Sequence, residues 1–435
     1  MYRFMSAWKN PVIILYLIFG VYPFWSFISE GFYCNCRRLR DTAEFIPGVR
    51  FTFRQPGFWE RLSPRDREFL RIILSFDYQA LENLLQEYPE KVQIKYEVLE
   101  NPEEGRTVYL QLDTPLLIAG REIKFLRIKG VRPRVTGGGF LSPYTGSAHD
   151  PSPLMVDSKG NIYRGRESFD ILGGMREEWA EVEFETTRML TSVKGALFGV
   201  DYPLALGIIK NLEFVDEEGR VHNSAFIIFG MESPDVRFGF QGSEEEERAF
   251  LYFCYYYPQN RNYAFVRIPE EREKEIITAI GRALRDLHDK GVFHRYPTTT
   301  NIGIEPTPEG FRIIFRDLGD RILRENLNGD VRVQEIGWRF IDITRLIYDL
   351  HLTQRVAVEE DGLYFADADT TRLIPYFLRG YFYDIEISEE EIQPLLTPGF
   401  QQRRDNITYL SPLPEGDPVF GVVFKYLFEI TPGDD

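Results

Sequence analysis

One stretch, Ala283 to Arg321, limits what this chain can fold into more than its composition does: ALRDLHDKGVFHRYPTTTNIGIEPTPEGFRIIFRDLGDR. It opens on the end of an amphipathic helix, in which Ile276, Ile277, Ile280, Leu284 and Leu287 recur at helical spacing. Gly291 is placed to stop that helix. Val292-Phe293 reads as a short strand leading into His294-Arg295 and a polar loop that ends at Asn301. Two apolar runs follow, Ile302 to Ile304 and Phe311 to Phe315, around a Pro-Thr-Pro-Glu-Gly turn, and they predict a hairpin. Asp317-Leu318-Gly319 closes the unit.

A helix, a loop ending in Asn, a hairpin and an Asp-x-Gly turn together resemble the catalytic core of the protein-kinase fold. There the loop reads H-R-D-L-x-x-x-N and the turn reads D-F-G. The resemblance implies an α+β, two-lobed molecule with a small antiparallel-sheet N-lobe and a mostly helical C-lobe. It also implies ATP and magnesium as cofactors, with Asn301 and Asp317 as the metal's oxygen ligands. Tyr296 stands where that family carries its catalytic base. With an ordinary pKa of about 10, tyrosine accepts protons poorly at neutral pH. The site is therefore expected to hold ATP without ordinary hydroxyl phosphorylation. His294 is expected to orient the loop, and Arg295 to hold an acidic or phosphorylated segment.

Composition fits this picture. A chain of 435 residues has room for two lobes, and 43% hydrophobic residues suit a folded protein. A formal charge of −16 disfavours nucleic acid as a partner, because phosphate backbones want a basic face. The three cysteines, at 34, 36 and 254, give neither a disulfide spacing nor a thiolate zinc site, so a reducing, cytoplasmic compartment is expected, with membrane association through the N-terminus left open. Residues 10–29 carry no charge and match the length of a bilayer span, so the N-terminus is expected to be either a membrane anchor or a buried segment.

Taken in order, residues 1–45 form a hydrophobic N-terminal segment, 46–232 the N-lobe and 233–435 the C-lobe. Ser63 predicts an N-cap with Pro64 at the first helical position, opening a helix that runs to Pro89. Val92 to Leu99, Thr107 to Leu112 and Glu122 to Ile128 predict strands, and Lys129 ends the third. In the kinase family a lysine at such a strand end binds phosphates and pairs with a helix glutamate. Gly137, Gly138 and Gly139 lie in the irregular tract that follows, and glycines there let backbone amides approach a phosphate closely. The next helix, Met175 to Leu190, offers Glu177, Glu178, Glu181 and Glu185 as partners for Lys129; Glu177, Glu181 and Glu185 share one side of it. Phe229 to Glu232, with Met231, predicts the hinge where backbone groups meet adenine. A long helix from Gln334 to Leu352 is expected beneath the loop, no activation segment ending in Ala-Pro-Glu is visible, and Val419 to Phe428 reads as strand-like.

Lys129-Gly130, Ser142-Pro143-Tyr144 and Arg176-Glu177 also resemble the selenoprotein O family, a kinase-fold group without the usual catalytic aspartate. That resemblance implies ATP bound in reversed orientation and AMP transferred to protein hydroxyls, with Lys129, Glu177 and Asp317 as catalytic residues and Gly130 and Arg176 at the nucleotide. Two other readings remain open at this level: a pseudokinase that binds nucleotide or a partner without turnover, and an atypical phosphotransferase whose base is Asp320.

Overall fold

A six-stranded antiparallel sheet carries the lysine strand. The computed structural model describes residues 46, 48–75, 78–88, 92–94, 107–131, 145–146, 153–165, 170–171, 175–215, 221–232, 236–243, 248–257, 262–298, 301–307, 310–351, 357–359, 362–364, 370–412 and 417–431. Spatially the sheet runs Val49–Arg54, Tyr202–Val215, Val221–Met231, Arg121–Lys129, Thr107–Ile118 and Val92–Ile94. Ala119 and Gly120, both at positive φ, make the tight turn between the last two long strands.

Arg121–Lys129 is covered on both faces. Leu126 and Ile128 pack into a cluster with Phe69, Leu70, Ile72 and Ile73 of the Pro64–Ser75 helix. The opposite face is covered by Ala180 and Phe184 of the Glu177–Thr191 helix, against Ala225, Ile227 and Phe229. Side chains alternate along a strand, so Arg127 and Lys129 point into this second, dry layer. Buried charges of that kind are tolerated only when paired.

The C-lobe is built around the helices Glu270–Asp289, Val331–His351 and Ile374–Tyr381. Two of them meet backbone to backbone: a Cβ on Gly281 would lie 2.3 Å from the Phe377 carbonyl oxygen, and one on Gly380 2.1 Å from that of Thr278. A second six-stranded sheet runs Asn262–Arg267, Arg248–Tyr257, Val236–Ser243, Ile302–Thr307, Gly310–Phe315 and Phe198–Gly199. Its last pairing is parallel, Ile313 with Phe198 and Ile314 with Gly199.

Segments before residue 232 also contribute to the core cluster around the C-lobe helices. A hairpin of Leu154–Val156 and Ile162–Arg164, lying between Lys129 and the Glu177–Thr191 helix in sequence, packs in the C-lobe. Leu154 and Ile162 join the C-lobe core, and Tyr409–Leu410 adds a third strand to the hairpin. Arg164 donates to the carbonyls of Ile407, Arg404 and Asp405.

Local expectations hold with some differences. Asp66 N donates to Ser63 Oγ at 2.9 Å, the predicted cap, but the single helix to Pro89 is two, Pro64–Ser75 and Tyr78–Glu87. The run Val419 to Phe428 is not strand-like: Gly421–Ile430 is helical, because a continuous apolar run fits a buried helix equally well. There Phe424 stacks on Phe340 with centroids 4.4 Å apart. Residues 10–29 lie outside the described residues, among which no helix is long and apolar enough to cross a membrane.

Candidate active site

The site is assembled by four elements. The Arg121–Lys129 strand delivers the Lys129 ammonium, 2.5 Å from Glu183 Oε2 on the facing helix. The same ammonium donates to Asp317 Oδ1. Lys129 and Glu183 side chains are almost wholly buried, whereas Asp317 is 40% exposed and so forms the open edge of the site. Asp317 adopts a left-handed backbone conformation, φ 60° and ψ 52°, which turns its carboxylate back toward the lysine strand. Behind it Leu318 is buried in the C-lobe core and anchors the turn.

The loop before Asn301 is held from below. Asp342, fully buried on the Val331–His351 helix, accepts from the His294 amide at 2.7 Å and contacts His288 Nε2 at 2.9 Å. Burial pushes Asp342 up to about 7. His294 Nε2 donates to the Arg316 carbonyl at 2.8 Å, and burial lowers this imidazole to about 4, so it is a neutral orienting group. Arg295, at φ 71°, donates to the Asp320 carbonyl and to Met155 Sδ of the docked hairpin, and its guanidinium lies 5.9 Å from the Trp338 ring centroid.

Asn301 Nδ2 donates to the Tyr296 carbonyl at 3.0 Å, which commits the amide nitrogen. The Asn301 carbonyl accepts from the Arg316 amide at 3.0 Å, placing Asn301 one residue from Asp317 across the hairpin base. Among the described residues no three His, Cys, Asp or Glu side chains converge as a metal cage. Magnesium asks for less: one or two protein oxygens, with phosphates and water completing its octahedron. Asn301 and Asp317 fit that demand.

The partner of Lys129 is Glu183, not Glu177, Glu178, Glu181 or Glu185. Glu177 sits in the first helical turn and accepts from Asn223 Nδ2 at 3.2 Å, while Glu178 faces His222. Glu183 belongs to the row that packs on the sheet with Ala180 and Phe184, the row that meets the lysine strand. The signal was there: one glutamate among apolar neighbours on a buried face needs a cation.

Gly130, Arg176 and Met231 are each buried beside the lysine sheet. Gly130, at φ 88°, leaves no room for a Cβ, which would lie 2.3 Å from the Ala225 carbonyl oxygen. Arg176 is buried, bridges to Ser224 and lies over the Trp179 ring. Met231 is buried at the end of its strand opposite Phe125. Gly137, Gly138 and Gly139 lie outside the described residues.

Lysine between glutamate and aspartate, histidine fixing the residue before that aspartate, and a helix carboxylate under the His-Arg loop decide the architecture. The fold is protein-kinase-like. No family model and no curated protein matches the chain. Among solved structures it is similar to WaaP in complex with acyl carrier protein, with 16% identity over 72% of this chain and 86% of that one and a TM-score of 0.29. It is also similar to the PknI kinase domain of Mycobacterium tuberculosis, with 14% identity over 47% of this chain and 78% of that one and a TM-score of 0.18. Only 13 residues, 318–330, separate Asp317 from the Val331–His351 helix.

Proposed function

We propose that the cleft binds Mg–ATP and transfers its AMP moiety to a protein hydroxyl. Lys129, oriented by Glu183, neutralises phosphate charge, and Asn301 and Asp317 hold the metal. The observation that carries the nucleotide reading is the Lys129 ammonium shared by buried Glu183 and half-exposed Asp317. A bound Mg2+ supplies charge neutralisation on the phosphates, as in other phosphoryl-transfer sites. The hydroxyl oxygen forms a bond to the α-phosphorus, the bond from that phosphorus to the β-bridging oxygen breaks, and pyrophosphate leaves with its electron pair. The hydroxyl proton passes to solvent. Such a loose transition state depends on positioning and electrostatics more than on a strong base, which suits a site with Tyr296 in the base position. The resemblance at Lys129-Gly130 supports AMP as the transferred group.

The test is incubation of the pure protein with Mg2+ and ATP labelled at either the α or the γ phosphate. Protein-bound α label supports the proposal, and label transferred only from γ refutes AMP transfer. A second reading, nucleotide binding without turnover, is favoured by Tyr296 together with the short 318–330 connection, which holds no long segment for docking a peptide. Nucleotide-induced thermal stabilisation with no transfer of either label supports that reading. An atypical phosphotransferase using Asp320 requires γ-label transfer that disappears in Asp320→Ala. Asp320 instead engages Arg295, through its carbonyl at 3.3 Å and its carboxylate at 4.0 Å.

A further inference from the structure

Asp201 sits where the chain passes from one sheet to the other. Phe198–Gly199 pairs with Ile313 and Ile314 in the C-lobe sheet, and Tyr202–Val215 enters the N-lobe sheet immediately afterwards, pairing Tyr202 with Gly230. The Asp201 side chain is 5% exposed and lies between two guanidiniums. Arg127 Nε lies 2.8 Å from Asp201 Oδ2. Arg316 donates from Nε to the same oxygen at 3.1 Å and from Nη2 to Oδ1 at 3.4 Å.

These two arginines belong to opposite halves of the candidate site. Arg127 precedes Lys129 by two residues on the same strand face, lies 4.0 Å from Glu183 Oε1 and covers the Phe229 ring at 4.4 Å. Arg316 immediately precedes Asp317, and its backbone binds both His294 and Asn301. Its side chain also has a reserved path: a Cβ on Gly303 would lie 2.5 Å from Arg316 Nη1. Arg127, Lys129 and Arg316 thus face Glu183, Asp201 and Asp317, three cations against three anions in one largely buried array. Removing the central carboxylate leaves two guanidiniums facing each other in a low-dielectric layer, where like charges repel strongly.

We propose that Asp201 is a positioning residue, a buried pin between the lobes that sets Asp317 against Lys129 and so tunes how the site holds a metal–nucleotide complex. This rests on the nucleotide reading above. No catalytic contact is assigned to Asp201; it acts through Arg316 on the aspartate turn and through Arg127 on the lysine strand.

The experiment is calorimetry with a nonhydrolysable ATP analogue, with and without Mg2+, at a temperature where each variant is folded. Asp201→Asn is expected to weaken Mg-dependent binding about tenfold or more and to raise the Mg2+ needed for half-saturation. Asp201→Glu recovers most of both. Gly303→Ala keeps every charge but displaces the Arg316 guanidinium, and it is expected to shift the Mg2+ dependence in the same direction; it serves if Asp201→Asn does not fold. A lower melting temperature with unchanged affinity and unchanged Mg2+ dependence in the folded variants overturns the proposal and makes Asp201 merely structural. A wild-type protein that binds no nucleotide overturns the functional reading and this inference together. Wild-type binding that both substitutions leave unaltered overturns this inference alone.

Discussion

Lys129 and Glu183 form an ion pair at 2.5 Å in which neither side chain is more than 6% exposed. The pair joins the N-lobe sheet to the helix that packs on the Asp317 turn. Breaking a buried pair by removing one partner leaves an uncompensated charge, at a cost of about 3–5 kcal/mol. Lys129→Met is therefore expected to lower the melting temperature and abolish measurable nucleotide binding. Glu183→Gln should keep the lysine but loosen it, weakening nucleotide binding about tenfold. Thermal unfolding and calorimetry on the two variants check both statements.

Tyr296 stands at the position from which a carboxylate would take the acceptor's proton in an ordinary kinase, and Asn301 binds its carbonyl. If Tyr296 is what withholds γ-phosphoryl transfer, Tyr296→Asp should introduce it. A positioned general base contributes roughly 10²–10⁴-fold. Expected is γ-label transfer to a hydroxyl that the wild-type protein lacks, read with γ-labelled ATP.

The polar cluster under the loop predicts a pH dependence of stability. His294, lowered to about 4, and His288, also lowered, are kept neutral by burial. Below the ordinary 6.5 the unfolded chain takes up protons on both and the fold does not, so this stability is present above 6.5 and lost as pH falls, for His294 through about 4. Asp342, raised to about 7, has the opposite sign: its contribution is full below 3.8 and lost as pH rises through 7. The His294 share can be read against a His294→Asn variant, whose melting temperature should fall less between pH 7 and pH 5 than that of the wild type, as calorimetric scans at the two values would show.

The docked hairpin turns at Gly160, whose φ is 81° and where a Cβ would lie 2.2 Å from Val333 Cγ1 and 2.7 Å from its carbonyl oxygen. Overpacking of this kind costs about 1–3 kcal/mol, with left-handed strain added. Gly160→Ala should destabilise the protein by at least that much in urea unfolding. It should also loosen the hairpin that places Met155 against Arg295.

The kinase-like core is legible because its pattern is local. The stretch from Ile276 to Asp317 carries its helix period, its glycine stop and its hairpin turn within consecutive residues, and the structure places Asn301 and Asp317 at the base of that hairpin. Glu183 is not among the four expected glutamates because helical spacing only groups Glu177, Glu181 and Glu185 on one side, whereas the deciding fact is which row meets the sheet. Asp201 and the Leu154–Val156 hairpin were illegible for another reason. Their partners lie more than 70 residues away, Arg127 at one extreme and Ile407 at the other, and no local pattern records such pairings. The strand-like reading of Val419 to Phe428 failed because apolar runs carry no period once both sides are buried.

The central claim is that Lys129, Asn301 and Asp317 hold one metal–nucleotide complex, and calorimetry with ATP in the presence and absence of Mg2+ tests it most directly. The expected result is ATP binding by the wild-type protein that Mg2+ strengthens, and an Asp317→Asn variant in which the magnesium effect is gone. A folded wild-type protein that binds no ATP, or binds it equally with and without Mg2+ and with or without Asp317, would contradict the account.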